Sequence, residues 1–343
     1  MVTTNEIRKR FLDYFKKRAH KVVSSMGLVP QDPTLLFTSA GMVQFKNMFL
    51  AKGKLAYHRA TSSQICFRTT DIEKVGHTAR HLTFFEMLGN FSFGDYFKKE
   101  AIEWAWDFLT REMGLPQERL YASVYNEDEE AYNFWKRYLP QERVVKLGKE
   151  DNFWEMGTTG PCGPCSEVLM DMGKEVGCGK LDCAPGCDCD RWLEVWNLVF
   201  TQFDKDEKGN LNPLPQKNID TGMGLERLAE VVNGKKNCFD IDLLQPIIDY
   251  TCELTGLEYG QDEKVDISLR IIADHIRAVT FLISEGVSPS NEGRGYVLRR
   301  ILRRMVRQER LLGVKRTILY KLTGKVVEIM GESYPALHSR REY

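Results

Sequence analysis

The chain has 343 residues with 48 basic and 48 acidic side chains, so its formal net charge is zero. Hydrophobic content of 43% and charged content of 28% are those of an ordinary globular protein, with length for two or three domains and ample core. No apolar run reaches transmembrane length, and Thr3-Thr4-Asn5-Glu6-Ile7-Arg8 opens a helix rather than a signal peptide, so no membrane is expected and the cytoplasm is the expected location.

Ile7, Phe11 and Phe15 recur at helical spacing among lysines and arginines, which predicts an amphipathic helix over residues 5–18. Val22-Val23 and Pro33-Thr34-Leu35-Leu36-Phe37 read as short strand segments around turns. The stretch 82–97 is aromatic and β-prone but broken by Gly89 and Gly94, which predicts two paired strands with a turn. A helix is expected over 101–113, strands over 120–125 and 144–147, and a helix over 128–138 between them. Residues 193–203 form a strongly apolar strand pattern that runs to a Lys-Gly-Asn turn at 208–210, a hairpin signal. After about residue 238 the texture becomes helical, with runs over 241–254, 269–284, 296–312 and 318–330. Strands interleaved with helices and few βαβ crossovers predict an α+β fold: an antiparallel sheet flanked by helices over 1–237, followed by an all-helical domain over 238–343.

Four clusters carry chemistry. Asn218-Ile-Asp-Thr-Gly-Met-Gly-Leu-Glu-Arg227 sets an acid, Asp220, before two close glycines and an arginine after them. Asp220 can hold an ammonium group, the glycines let the backbone pass close to a flat or phosphorylated ligand, and Arg227 can grip phosphate oxygens as a planar fork. Cys178, Cys183, Cys187 and Cys189 fall within twelve residues; four thiolates suffice for a tetrahedral structural zinc site, and the same residues read equally well as reduced, unliganded thiols. His77 and His81 are spaced as a metalloprotease pair, but Thr78 stands where the general-base glutamate would be, so they read as a loop feature. From Arg294 to Arg316 nine Lys/Arg side chains face one acid, Glu309, a basic stripe that suits a polyanion.

Six ordered blocks together resemble the N-terminal half of the alanyl-tRNA synthetases, a class II aminoacyl-tRNA synthetase family. They are Asp32-Pro-Thr-Leu-Leu-Phe-Thr-Ser-Ala-Gly-Met with Gln44-Phe-Lys, Thr83-Phe-Phe-Glu-Met-Leu-Gly-Asn-Phe-Ser-Phe-Gly-Asp-Tyr-Phe, Asp151-Asn-Phe-Trp-Glu-Met-Gly, Gly160-Pro-Cys-Gly-Pro-Cys-Ser-Glu, Trp196-Asn-Leu-Val-Phe and the Asp220 block. The resemblance runs from residue 5 to the end. It implies a six- or seven-stranded antiparallel sheet followed by a helical tRNA-recognition domain. It also implies activation of L-alanine by ATP, with Mg²⁺, and transfer of alanine to the 3′ end of tRNA(Ala).

On this resemblance Arg68, in Gln64-Ile-Cys-Phe-Arg, would meet the ATP α-phosphate and Arg227 its tail. Glu86 and Glu194 could meet ATP through Mg²⁺ or indirect contacts. Trp154 would wall the pocket, Asn197 would contact alanine, Val195 and Trp196 would flank it toward ATP, Val199 would sit near the substrate methyl, Asp220 would hold the ammonium, and Gly224 would admit the nucleotide. Leu82 departs from the pattern, because many relatives carry a histidine there; the contact is then absent or moved to His81 or Arg80. Asn291 would read the minor groove of the acceptor stem, with Arg294, Arg299, Arg300, Arg303 and Arg304 on its phosphates. The family's usual zinc site lies in its editing domain, of which no block is recognised before Tyr343, so misactivated glycine and serine are expected to go uncorrected.

Overall fold

The computed structural model describes residues 1–340 apart from 52 and 54. The helices are α1 (Thr4–Lys16), α2 (Lys46–Phe49), α3 (Lys98–Asp107), α4 (Glu129–Trp135), α5 (Lys149–Asn152), α6 (Leu225–Val232), α7 (Gln245–Thr255), α8 (Glu263–Ser284), α9 (Gly293–Leu311), α10 (Leu319–Met330) and α11 (Ala336–Ser339). The strands are β1 (Lys21–Val22), β2 (Arg59–Phe67), β3 (Phe84–Phe93), β4 (Leu120–Tyr125), β5 (Val144–Leu147), β6 (Phe153–Glu155), β7 (Gly160–Asp171), β8 (Trp192–Lys205) and β9 (Leu211–Gly224).

The nine strands form one sheet in the order β1-β2-β3-β9-β8-β7-β4-β5, with β6 added beside β7. The interior is antiparallel as expected, but both edges are closed by parallel pairs, β1 with β2 and β4 with β5, so the sheet is mixed and larger than predicted. The paired strands expected over 82–97 are one ten-residue strand, β3. Gly89 makes no turn: a Cβ there would lie 2.8 Å from the Thr221 carbonyl oxygen, so the residue serves close approach to β9. The chain does turn at Gly94, where φ is +69°. Residues 33–37 are loop rather than strand; Asp32 accepts from the Thr34 N–H at 2.9 Å and its hydroxyl at 2.6 Å, a local bond that competes with strand pairing.

Helix α1 begins where the Thr3 hydroxyl oxygen accepts from the Glu6 N–H, and Ile7, Phe11 and Phe15 are fully buried on its inner face. Phe11 packs on Phe108, and Phe11 and Phe15 on Trp196, with ring centroids 5.3–6.3 Å apart, which fills one side of the sheet. The same apolar cluster continues into α8, α9 and α10, so packing is unbroken across residue 237. Polar ties cross it too. Asp274 of α8 accepts from the Thr83 N–H at 2.9 Å, and Glu285 accepts from the Leu28 and Val29 N–H groups at 2.8 and 3.0 Å. No helix among the described residues is long and apolar enough to cross a membrane.

Candidate active site

Strand register decides which side chains share a face, because directly paired residues of an antiparallel sheet point the same way. Asp220 pairs with Phe91 and Val199, Val199 with Cys165, Gly222 with Asn197, Asn197 with Glu167, and Gly224 with Met87. Asp220, Val199, Asn197 and Glu167 therefore stand on the face of the sheet away from α1. Trp154, paired with Gly163, packs like Met87 and Met156 against the small apolar cluster that holds Phe91.

Asp220 is 5% exposed, with no hydrogen-bond partner for its carboxylate among the described residues, and burial alone pushes its pKa up to about 7. A carboxylate left in this state is a receptor for a cation that brings its own charge. Beside it Asn197 donates to Glu167 at 3.3 Å, and its amide oxygen is buried without a partner. Glu167 is raised well above the ordinary carboxylate value by burial and then by the Glu194 charge. No role was assigned to Glu167 from the sequence, although it ends the Gly160 block; only its pairing with Asn197 reveals the position.

The glycines lead from Asp220 to a cavity lined by Arg68, Asp71, Arg80, His81, Leu82, Phe85, Met87, Glu194, Gly222, Gly224, Glu226 and Arg227. At Gly222 a Cβ would lie 2.8 Å from the Met87 sulfur, so a side chain there would close the passage. Arg68 is exposed, held by its Nε on the Ser39 carbonyl at 2.7 Å and lying 5.2 Å over the Phe85 ring. Arg227 donates to the Glu194 carboxylate at 2.9 Å and its carbonyl at 3.0 Å. His81, bonded to the Thr78 hydroxyl at 2.7 Å, is held down to about pH 4 by burial and then by the Arg80 and Arg227 charges, so it meets a ligand uncharged. Two guanidiniums, Arg68 and Arg227, thus open on one cavity a few residues from a buried, unpaired carboxylate.

Three residues assigned from the sequence have side chains that face away from the cavity. Glu86 alternates to the opposite face, fully buried, where it accepts from Arg8 at 2.7 and 2.8 Å, Tyr334 at 2.6 Å and Ser63 at 3.0 Å. Burial opposes its ionisation, yet Arg8 and these donors hold its pKa below the ordinary value, so its carboxylate is engaged in a buried ion pair. Val195 and Trp196 both enter the core behind the sheet. Trp196 does so by plain alternation from Asn197, and Val195 by a bulge: Leu169 pairs with Glu194 and Val168 with Trp196, which takes Val195 out of register and swings Glu194 into the cavity. Strict alternation from Asn197 would have done the reverse with Val195 and Glu194.

Arg294 and Arg304 of the basic stripe are also committed. Arg294 donates to the Leu36 and Leu35 carbonyls at 2.6 and 3.2 Å, and Arg304 to Glu73 at 2.6 Å with Arg300 at 3.5 Å from the same residue. Arg299, which bonds Asn291, and Arg303, Arg307 and Arg310 lie exposed on α9. Glu309, the single acid, is buried and accepts from the Ile318 N–H at 2.7 Å, so it does not dilute the basic face.

The four cysteine sulfurs lie within 4.8 Å of one another. Cys178–Cys187 and Cys183–Cys189 are both 3.7 Å apart, close to the edge of about 3.8 Å that a tetrahedron with Zn–S near 2.3 Å requires.

The family description "tRNA synthetases class II (A)" matches residues 6–343. The chain belongs to this family. Among curated relatives, the alanine–tRNA ligase of Nitratidesulfovibrio vulgaris is 56% identical over 351 residues, covering 100% of this chain and 40% of that protein. Those of Thermoanaerobacter sp. (strain X514) and Endomicrobium trichonymphae are 55% and 57% identical, covering 99% and 98% of this chain and 39% and 38% of theirs. This class II synthetase chain therefore spans about 40% of the length of the relatives it matches.

Proposed function

We propose that this chain activates L-alanine with ATP and transfers alanine to the 3′ end of tRNA(Ala), as an alanine–tRNA ligase acting in translation in the cytoplasm. The observation that carries the reading is the unpaired, buried Asp220 beside Val199, joined by Gly222 and Gly224 to a cavity holding Arg68 and Arg227. Asp220 pairs the ammonium of alanine, and the Asn197 amide fixes the rest of the head group. An alanine carboxylate oxygen then attacks the α-phosphorus; the new O–P bond forms as the bond to the bridging oxygen breaks and pyrophosphate leaves. Arg68 stabilises charge on the nonbridging oxygens and Arg227 holds the tail. In the second step a ribose hydroxyl of the tRNA end attacks the alanyl carbonyl and AMP departs.

Glu194 suits a magnesium ligand, since it lines the cavity and, of its carboxylate oxygens, only Oε2 carries a hydrogen bond among the described residues, from Arg227. Magnesium bound there would neutralise phosphate charge. The thiol tetrahedron suits structural zinc. Residues 1–237 carry activation, and 238–343 carry the acceptor-stem contacts, with Asn291 near the minor groove.

Alanine-dependent ATP–pyrophosphate exchange is the direct test. Exchange with alanine well above that with other amino acids supports the reading, and no exchange from folded protein rules it out. For the RNA face, Arg303→Ala and Arg307→Ala are each expected to weaken acceptor-stem binding and to reduce the salt slope by about one unit. Arg304→Ala is expected to leave that slope nearly unchanged, because Arg304 is already bound to Glu73. Equal slopes for all three variants would remove the phosphate assignment.

A further inference from the structure

We propose that the four-cysteine loop is a positioning element for the nucleotide cavity: zinc held by Cys178, Cys183, Cys187 and Cys189 fixes Asp188 and Asp190, which hold the Arg80–Leu82 wall. The inference rests on the zinc reading above.

The connection is short and made of named contacts. Asp188 stands between two of the cysteines and Asp190 follows the last. Both accept from Arg80, Asp190 at 3.1 Å, and Asp190 also accepts from the Ala79 N–H at 3.3 Å. Lys74 lies 3.5 Å from Asp188. These ties leave the Arg80 side chain only 11% exposed. Arg80 and His81 line the nucleotide cavity on one side, and on the other a shallow hollow shared with Cys178, Asp188, Cys189 and Asp190. One loop thus separates nucleotide from thiols.

The loop has little else to hold it. Among the described residues none from Met172 to Arg191 is buried, and Leu181 is fully exposed. Its internal backbone bonds are single turns, such as Cys183 N–H to the Lys180 carbonyl and Cys187 N–H to the Ala184 carbonyl. A segment with no core of its own keeps one shape only if it is cross-linked. At its base the loop is closed by Arg191, which donates to Asp171 at 2.8 Å and whose carbonyl accepts from the Met172 N–H at 2.8 Å. Without the metal, Asp188 and Asp190 lose their fixed places and the wall they hold is released.

The test compares the wild-type chain with Cys183→Ser/Cys189→Ser and with Asp190→Ala, each checked for folding by circular dichroism. Zinc content is read by mass spectrometry, amide exchange across 77–82 by hydrogen–deuterium exchange, and KM for ATP and alanine by pyrophosphate exchange. The cysteine variant is expected to lose zinc, expose the 77–82 amides, and raise KM for ATP about tenfold with KM for alanine within twofold. Asp190→Ala is expected to keep zinc and show the same two defects, which a merely local loop would not produce. The proposal is overturned if wild type purified without chelator holds no zinc, or if zinc loss leaves both amide protection and KM for ATP unchanged. Absence of alanine-dependent exchange in the wild type would defeat the activity reading alone, and amide protection would then decide the coupling.

Discussion

Asp220→Ala is expected to lower kcat/KM for alanine in pyrophosphate exchange by roughly 10²- to 10³-fold, about 3–4 kcal/mol, the usual loss when one partner of a buried charge pair is truncated. KM for ATP should change far less, because Arg68 and Arg227 stand at the other end of the glycine path. Burial holds the Asp220 pKa at about 7, so on the proposed reading alanine would meet a neutral acid below that pH. KM for alanine in the wild type should accordingly rise about tenfold per unit as pH falls below 7. The same group bears on stability, with the opposite consequence. In the unfolded chain an aspartate titrates near about 4. Between about pH 4 and 7 the native chain keeps a proton that the unfolded chain has released, so this contribution is present below pH 4 and lost as pH rises to 7. Asp220→Asn stays neutral and should melt above the wild type, by a wider margin at pH 8 than at pH 5. Equal melting temperatures at both pH values would show that the carboxylate is solvated after all.

Arg277→Met is expected to cost roughly 3–5 kcal/mol of stability, because it leaves a buried carboxylate without its cation. Arg277, fully buried on α8, donates to Glu226 at 2.8 Å and to the Phe84 carbonyl at 2.7 Å, while Glu226 accepts from the Glu86 N–H at 3.1 Å. Burial and then the Glu86 charge push the Glu226 pKa up, against the pull of Arg277. Removing the arginine drives it further, and uptake of a proton limits the loss. Glu226 precedes Arg227, and Phe84 and Glu86 bracket Phe85, so the same variant should also weaken ATP binding by loosening the Arg227 side of the cavity. Adding Glu226→Leu should recover the electrostatic part of the stability but leave ATP binding impaired. Chemical denaturation with the wild-type midpoint would refute the role given to the ion pair.

Much of the fold was legible locally. Strands 120–125 and 144–147 coincide with β4 and β5, and the four helices expected after 238 are found, with starts that differ by up to six residues, because apolar periodicity reports a buried face directly. Residues 82–97 misled because a glycine inside a strand and a glycine at a turn look alike; Gly89 is set by the backbone of β9 more than 130 residues away. Site residues divided in the same manner. Arg68, Asp220 and Arg227 are recognisable as residue types suited to phosphate and ammonium. Glu86, Val195 and Trp196 lay in equally convincing blocks, yet their side chains face the core.

The sequence by itself determined the family, the α+β class, the apolar faces and the candidate charges, since all of these are carried by residue type and short-range spacing. Tertiary structure alone decided which charges are free. Register and one bulge chose Glu194 over Val195, Arg8 claimed Glu86, Glu73 claimed Arg304, and Asp188 with Asp190 claimed Arg80. Each choice depends on a partner distant in the chain, and a charge gains or loses chemical availability only when that partner is brought within hydrogen-bonding distance.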